Sequence, residues 1–402
     1  MNGFPQLGPA AAAQPYVEAC ALPQPGSGIE SLDTPVEAVL LALLRRVGRL
    51  AGDAGSHEAA MVAGLESWLT GGRIAGVYRA WSPVVAVLRQ KVAAGDVRGA
   101  IAQLVLIQCD LLGGSVGVSI ELDRDGDLYH RGCTFHLPAG VRLDFRRYGP
   151  DSAAPGDQLC ALADGLPADT RAAIGREGEP PDLRWIDWSL GDRKFAVPTL
   201  EVSNDLIDVE VVWPPARDHG VSAGTMAEAC RSLVDAHRFI ASVSPEYGVW
   251  AARLIRGFAI TDMPDDSSID SGSYFTRPGL VHCAFPLDPG MVVETLIHEA
   301  SHQHFILLNS MFPIVEKGPQ ELIYSPIKGM ERPLSRVLFA FHACVNIHRF
   351  FASVDPARAS RFDRDRSALM HDYASTMSAN LAKSAKLTQA GRGLVALLDK
   401  AL

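Results

Sequence analysis

The stretch Met291–Leu308, MVVETLIHEASHQHFILL, decides both the fold and the chemistry that this chain predicts. Its apolar residues occur on nearly every side of a helix, so the stretch predicts a helix buried in the protein core. Within it, His298 and His302 stand four residues apart, and side chains at that spacing project from one face of a helix. Two imidazoles on one face can bind the same metal ion, with Glu299 beside it.

An H-E-x-x-H string also arises by chance, for example on a solvent-exposed helix that carries two histidines and a glutamate. The apolar flanks argue against that alternative, because burying these three side chains is costly unless something satisfies their polar atoms. A metal ion is such a partner. The sequence therefore predicts a metal site with His298 and His302 as ligands and Glu299 as the catalytic residue that handles protons on a bound water.

A catalytic metal usually has a third protein ligand and at least one open position. We expect His342 in that place, with Glu321 as the alternative. His342 is a lone polar residue in the apolar helix predicted over 334–353, where the other interpretation is a core histidine bonded to a carbonyl. Glu321 follows His302 by nineteen residues, the spacing at which the gluzincin class of zinc peptidases places its glutamate ligand.

Composition narrows the class of protein. The 402 residues are 48% hydrophobic and 21% charged with a net charge of −9, which is typical of a soluble globular protein. No basic run stands out, so we expect no nucleic-acid partner. The seven cysteines are scattered without a C-x-x-C pair, the N-terminus lacks signal-peptide features, and no apolar run could span a bilayer. These features predict a cytoplasmic protein with no membrane association.

The chain's patterns predict an α+β fold, with helical N-terminal and C-terminal regions around a central, mainly antiparallel β region. We expect four parts: a flexible N-terminal arm (1–32), a helical region (33–114), an antiparallel β-rich region (115–214) and a metal-binding catalytic region (215–402). Thr34-Pro35 reads as the start of the first long helix. One strand of the β region is expected over 128–135.

The stretch from Ser271 to about Phe351 is similar to the HExxH-motif peptide-modification proteins associated with ribosomally synthesised, post-translationally modified peptides. The resemblance covers about 80 of the 402 residues. In chain order, its pieces are Ser271-Gly272-Ser273, Pro278-Gly279, Leu296–His302, Tyr324-Ser325-Pro326, and Arg332-Pro333-Leu334 leading into the helix with His342. The Tyr-Ser-Pro and Arg-Pro pieces have no place in gluzincin peptidases, and this favours peptide modification over proteolysis.

The resemblance implies an iron(II)- and 2-oxoglutarate-dependent enzyme that hydroxylates a side chain of a precursor peptide, at its β-carbon. In that picture His298, His302 and a third ligand hold the metal. Arg332 is the residue expected to bind the distal carboxylate of 2-oxoglutarate, because a planar guanidinium suits a carboxylate. Lys328 is the fallback for that role, and Tyr324 adds a hydroxyl.

The chain also departs from the family pattern at two places. Ile327 and Lys328 follow the Ser-Pro, where family members often carry Trp or Arg. Phe339 stands on the ligand-bearing helix where His or Gln is often found.

Two other functions stay open at the level of sequence. One is a zinc metallopeptidase of gluzincin type, with Glu299 as the general base and Glu321 as the third ligand. The other is a non-enzymatic binding protein with a structural or decayed metal site, which the intact motif disfavours. Imidazole binds iron and zinc alike, so the motif leaves the metal open.

Overall fold

The structure is a computed structural model that describes residues 13–23, 30–52, 56–72, 74, 76–130, 133–149, 155–175, 201–203, 206–208, 223–262, 271–275, 277–319, 321–357 and 359–402. The helices are α1 (Gln14–Ala21), α2 (Glu30–Ala51), α3 (His57–Thr70), α4 (Pro83–Ala93), α5 (Val97–Leu112), α6 (Pro155–Leu162), α7 (Ala168–Gly175), α8 (Ala223–Val243), α9 (Pro245–Arg253), α10 (Pro289–Met311), α11 (Leu334–Ser353), α12 (Arg361–Leu381) and α13 (Gln389–Asp399). The strands are β1 (Ser119–Glu121), β2 (Gly126–His130), β3 (Cys133–Leu137), β4 (Arg142–Asp144), β5 (Ala163–Asp164), β6 (Glu201–Ser203), β7 (Leu206–Asp208), β8 (Gly257–Asp262), β9 (Ser271–Ser273), β10 (Leu280–Phe285), β11 (Leu322–Ser325) and β12 (Met330–Pro333).

The order of these elements confirms the predicted α+β class. Helices α1–α5 precede every described strand, and α11–α13 follow them all. The strands form small sheets in the orders β1-β4-β5 and β8-β10-β9, together with the pairs β2-β3, β6-β7 and β11-β12. The described pairs are antiparallel, as predicted, apart from β8 and β10, which run parallel. Between β8 and β10 the chain passes through β9, which pairs antiparallel with the other edge of β10.

Three local expectations need correction. The strand expected over 128–135 is two strands, β2 and β3, because His130 pairs with Cys133 and the chain reverses between them. The first long helix, α2, begins at Glu30 rather than at Thr34, so Pro35 lies inside it. The third concerns the N-terminal arm expected over 1–32. Part of it is the ordered helix α1, whose Val17, Cys20 and Ala21 are buried.

Helix α1 is held in place because it covers apolar surface of later elements. It packs against α10 and α13. The carbonyl of Ala21 at its end accepts hydrogen bonds from His342 and Asn346 of α11. Residues 1–12 and 24–29 of the expected arm lie outside the described residues, as do 176–200 and 209–222 of the expected β-rich and catalytic regions.

Helix α10 is the central element of the region over 215–402 in which the sequence predicts the metal site. The Asp288 side chain caps it by accepting from the Gly290 amide, and Pro289 occupies its first turn, where a missing N–H costs nothing. Buried side chains follow on nearly every side from Val292 to Met311, as the sequence predicts. The helix packs against α1, α2, α8 and α11. Among the described helices, none has both the length and the apolar character needed to cross a membrane.

Candidate metal centre

Helix α10 brings His298, Glu299 and His302 together. One ligand atom from each of the three side chains lies within 4.8 Å of the others. The two imidazole rings are 4.3 Å apart between centroids and inclined by 58°, so they converge as the four-residue spacing predicts. Within the described ranges, no other set of three His, Cys, Asp or Glu side chains is grouped in this way.

The three side chains differ in their access to solvent. Glu299 is fully buried and His302 is 6% exposed, whereas the side chain of His298 is 35% exposed. The side of the group that carries His298 is therefore the side open to solvent. A ligand or cosubstrate could reach the centre from this side.

Strand β9 holds the Glu299 carboxylate. The Ser271 hydroxyl donates to Glu299 Oε1 and the Ser273 hydroxyl donates to Oε2, each at 2.7 Å. The only ion-pair contact of Glu299 with a described residue is with His298 Nδ1, at 3.4 Å. A buried carboxylate with hydroxyl donors but no lysine or arginine beside it is costly, and a bound cation would offset that cost.

His302 is enclosed in a way that suits a metal ligand. Its ring stacks on Phe339, with 3.6 Å between centroids and 6° between planes. Its Nδ1 is buried and has no hydrogen-bond partner among the described residues. Burial, followed by the nearby His298, His342 and Arg336, holds the pKa of His302 well below its usual range. The imidazole is therefore neutral at physiological pH, which is the form that binds metals.

These observations fit a bound divalent cation. One nitrogen each of His298 and His302 and one oxygen of the buried Glu299 carboxylate, which pairs with no described lysine or arginine, lie within 4.8 Å of one another. Two imidazoles and one carboxylate form the donor set of non-haem iron(II) sites, and zinc also accepts these donors.

The structure does not bring His342 into this group. Its Nε2 donates to the Ala21 carbonyl at 2.8 Å, and its Nδ1 is buried without a partner. The ring packs beside Trp250 and Phe305 in the core. This is the arrangement of a core histidine bonded to a carbonyl. Burial lowers the pKa of His342 to about 4, so it is neutral as well.

Glu321 also lies outside the group. The Ser384 hydroxyl, in the segment after α12, donates to its carboxylate. Its backbone carbonyl accepts from the Leu334 amide at the start of α11. Both contacts hold Glu321 at the base of the β11–β12 hairpin, away from the ligand atoms of His298 and His302.

The residues expected to bind the cosubstrate all lie on the β11–β12 hairpin. Tyr324 is 46% exposed, Lys328 in the turn is exposed and Arg332 on β12 is half-buried. The hairpin leads directly into α11. Its first turn carries Arg336, one turn before Phe339, and Arg336 lies close enough to His302 to help lower the pKa of that imidazole. Sequence reasoning did not consider Arg336, although its i, i+3 spacing from Phe339 puts both on one helix face.

Ser271, Ser273 and Gln303 are further residues of the centre for which no role was predicted from sequence. Residues two apart on a strand point to the same side, so the Ser-Gly-Ser spacing was a signal that two hydroxyls could reach one partner. That the partner is Glu299 becomes visible only when β9 is placed against α10.

A scan against models of known protein families finds no match to this chain, and a search of curated proteins also finds none. The functional argument therefore depends on the geometry of the centre and on the resemblance described above.

Proposed function

We propose that this protein is an iron(II)- and 2-oxoglutarate-dependent hydroxylase that modifies a side chain of a ribosomally made precursor peptide, at the β-carbon. The observation that carries the proposal is the convergence of His298, Glu299 and His302, whose ligand atoms lie within 4.8 Å of one another. Two imidazoles and a carboxylate are the ligands that non-haem iron oxygenases use, and they leave positions open for a cosubstrate.

The overall reaction converts a C–H bond, O₂ and 2-oxoglutarate into an alcohol, succinate and CO₂, with one oxygen atom going to the peptide and the other to succinate. When bound, iron(II) supplies the site where O₂ and 2-oxoglutarate react. The chain's own residues hold and shield that site. Phe339 covers one face of His302 against water, and the partly exposed His298 leaves the centre accessible to the peptide.

The cosubstrate needs a cation for its distal carboxylate, and α11 and the hairpin before it provide three. Arg332 and Lys328 are the residues implied by the family resemblance. Arg336 is a further candidate, because its charge acts on His302 and no described residue forms an ion pair with it. We place the distal carboxylate of 2-oxoglutarate beside these three cations, with Tyr324 as an added hydroxyl donor.

The alternative, a zinc metallopeptidase of gluzincin type, fits the same motif less well. That mechanism needs Glu321 as the third ligand, and Glu321 is held at the hairpin base by Ser384. It also needs Glu299 as a base that exchanges protons with a metal-bound water. Each Glu299 oxygen accepts one hydroxyl hydrogen bond from β9 and keeps a lone pair, so Glu299 suits either mechanism and the position of Glu321 is what separates them.

The experiment is co-expression of the protein with a small peptide encoded beside it, followed by mass spectrometry. The hydroxylase predicts a mass gain of one oxygen atom, and succinate formation in vitro that requires peptide, O₂, iron(II) and 2-oxoglutarate together. A shortened peptide, formed with zinc and without O₂, would instead establish the peptidase. The variant His302→Ala should abolish either product, and His371→Ala, at a half-buried position of α12 outside the metal centre, is the control.

A further inference from the structure

The Glu299 carboxylate is held by a chain of hydrogen bonds that begins at Gln303, one helical turn further along α10. Gln303 is fully buried. Its Oε1 accepts from the Gly279 amide at 2.7 Å and from the Trp81 indole N–H at 3.2 Å. Both partners can only donate, so this end of the side chain must be the oxygen. The amide orientation of Gln303 is thereby fixed.

The opposite end of Gln303 fixes the direction of the next bond. Its Nε2 donates to the Ser273 hydroxyl at 3.0 Å and to the Leu280 carbonyl at 3.1 Å. Since the Ser273 oxygen accepts from Gln303, its single hydrogen is free to be donated elsewhere. The nearest acceptor is Glu299 Oε2, at 2.7 Å. The hydrogen bonds therefore have one direction: Gln303 donates to Ser273, and Ser273 donates to Glu299.

Gly279 allows this arrangement. Its φ is +78°, and a Cβ there would lie 2.6 Å from the Trp81 carbonyl oxygen. Any other residue would push the chain away from Trp81 and withdraw the Gly279 amide from Gln303. The Pro278-Gly279 pair thus contributes to the centre through backbone geometry.

Ser271 completes the arrangement from the same strand. Its hydroxyl donates to Glu299 Oε1, so each carboxylate oxygen has its own hydroxyl donor. Strand β9 pairs with β10 through Ser271↔Cys283 and Ser273↔Val281, and this pairing fixes the positions of both hydroxyls. The plane of the carboxylate against His298 and His302 is therefore set by the sheet rather than by α10 alone.

We infer that Ser271, Ser273 and Gln303 are positioning residues that orient Glu299 as a fixed anionic partner of the metal. The inference rests on the metal centre of the proposed function and deepens it. A carboxylate held at both oxygens presents its remaining lone pairs in a constant direction, as ligand-orienting partners do in other metal sites. Removing either hydroxyl lets the carboxylate turn, so the metal should bind more weakly and in an altered geometry.

The test is anaerobic titration of the metal-free full-length protein with Co²⁺, an iron(II) substitute whose visible absorption reports coordination geometry. Ser273→Ala and Ser271→Ala should each lower Co²⁺ affinity by about 10- to 100-fold, the usual effect of losing an outer-shell partner, and should shift the absorption bands. Ser273→Thr keeps the hydroxyl and should restore both readouts. Ser310→Ala is the matched control, because that serine also loses a buried hydroxyl on α10 but donates to the Ile306 carbonyl and not to Glu299.

Wild-type affinity and an unchanged spectrum in both Ser→Ala variants would overturn the inference, and so would wild-type protein that binds neither Co²⁺ nor iron(II). Circular dichroism of each variant separates loss of metal from loss of fold, and two independent serine positions guard against one variant that does not fold. If the protein binds Co²⁺ as described but never hydroxylates a peptide, the proposed function fails while the positioning of Glu299 stands.

Discussion

His302 is the residue whose loss should affect metal binding most. It is enclosed by Phe339 on one face, and its Nδ1 has no hydrogen-bond partner in the part of the chain that the structure describes. We expect His302→Ala to lower the affinity for iron(II) or Co²⁺ by more than about 100-fold, beyond the range of outer-shell changes. Isothermal titration of the metal-free protein measures this, and His371→Ala should bind as the wild type does. Stoichiometric metal in His302→Ala would contradict the site.

Variants of His342 and Glu321 test whether either residue is a third ligand of the metal. His342→Gln keeps a donor for the Ala21 carbonyl but changes shape in a closed core, so we expect the free energy of unfolding to fall by about 1–3 kcal/mol. The metal content should stay at the wild-type value, because the Nε2 of His342 is already bonded to Ala21. Glu321→Gln should also keep the metal.

Elemental analysis of both purified variants measures the metal content, and urea denaturation measures the stability. A folded His342→Gln protein without metal would show that His342 rotates to become a ligand, as the sequence had predicted. Loss of metal in Glu321→Gln would restore the gluzincin arrangement.

At the scale of elements, α10 is tied to α12 by the Arg366–Glu294 ion pair. Glu294 is 6% exposed, and its carboxylate accepts from two nitrogens of Arg366. This bond raises the pKa of Arg366. Arg366→Met removes the cation and leaves a buried carboxylate without its partner. We expect the free energy of unfolding to fall by about 2–4 kcal/mol, less than for a fully buried pair because Arg366 is partly exposed.

Urea denaturation gives this number, and Arg361→Met is the matched control on the same helix. Arg361 pairs with Asp365 at 3.2 Å, but both side chains are exposed, so the loss should be about 0.5 kcal/mol or less. Equal effects of the two substitutions would mean that the α10–α12 pair contributes no more than a surface contact.

For the whole molecule, buried histidines should make stability depend steeply on pH. Burial lowers the pKa of His304 to about 3 and that of His342 to about 4, whereas an unfolded histidine titrates near 6.5. Between about pH 6.5 and 4, the unfolded chain binds protons that the folded chain cannot. The contribution of these neutral histidines to stability is therefore complete above about pH 6.5 and is lost as the pH falls.

Each such histidine should add about 1.4 kcal/mol per pH unit to the slope of unfolding free energy against pH in that window. The slope is measured by urea denaturation of the metal-free protein at several pH values from about 7 to about 4.5. This range covers most of the window between the pKa of an unfolded histidine and the lower pKa values of the buried ones. His342→Gln should lower this slope by about 1.4 kcal/mol per pH unit, the contribution of one histidine. An identical slope in wild type and variant would show that His342 is already protonated in the folded protein.

Several features followed from sequence because they depend on neighbours along the chain. The buried helix α10 and the convergence of His298 and His302 follow from a 3.6-residue period, which fixes which side chains share a face. The same period predicts α11 with the bounds that the structure has. The α+β class follows from where helical and alternating patterns occur.

The surroundings of those histidines were decided by tertiary structure. Glu299 meets hydroxyls 26 and 28 residues away, and His342 meets a carbonyl 321 residues away. Whether a lone polar residue in an apolar helix binds a metal or a carbonyl depends on which remote element packs over it, and α1 does so here. Periodicity along one helix determines the direction of a side chain, while its partner is set by the packing of segments that local sequence does not constrain.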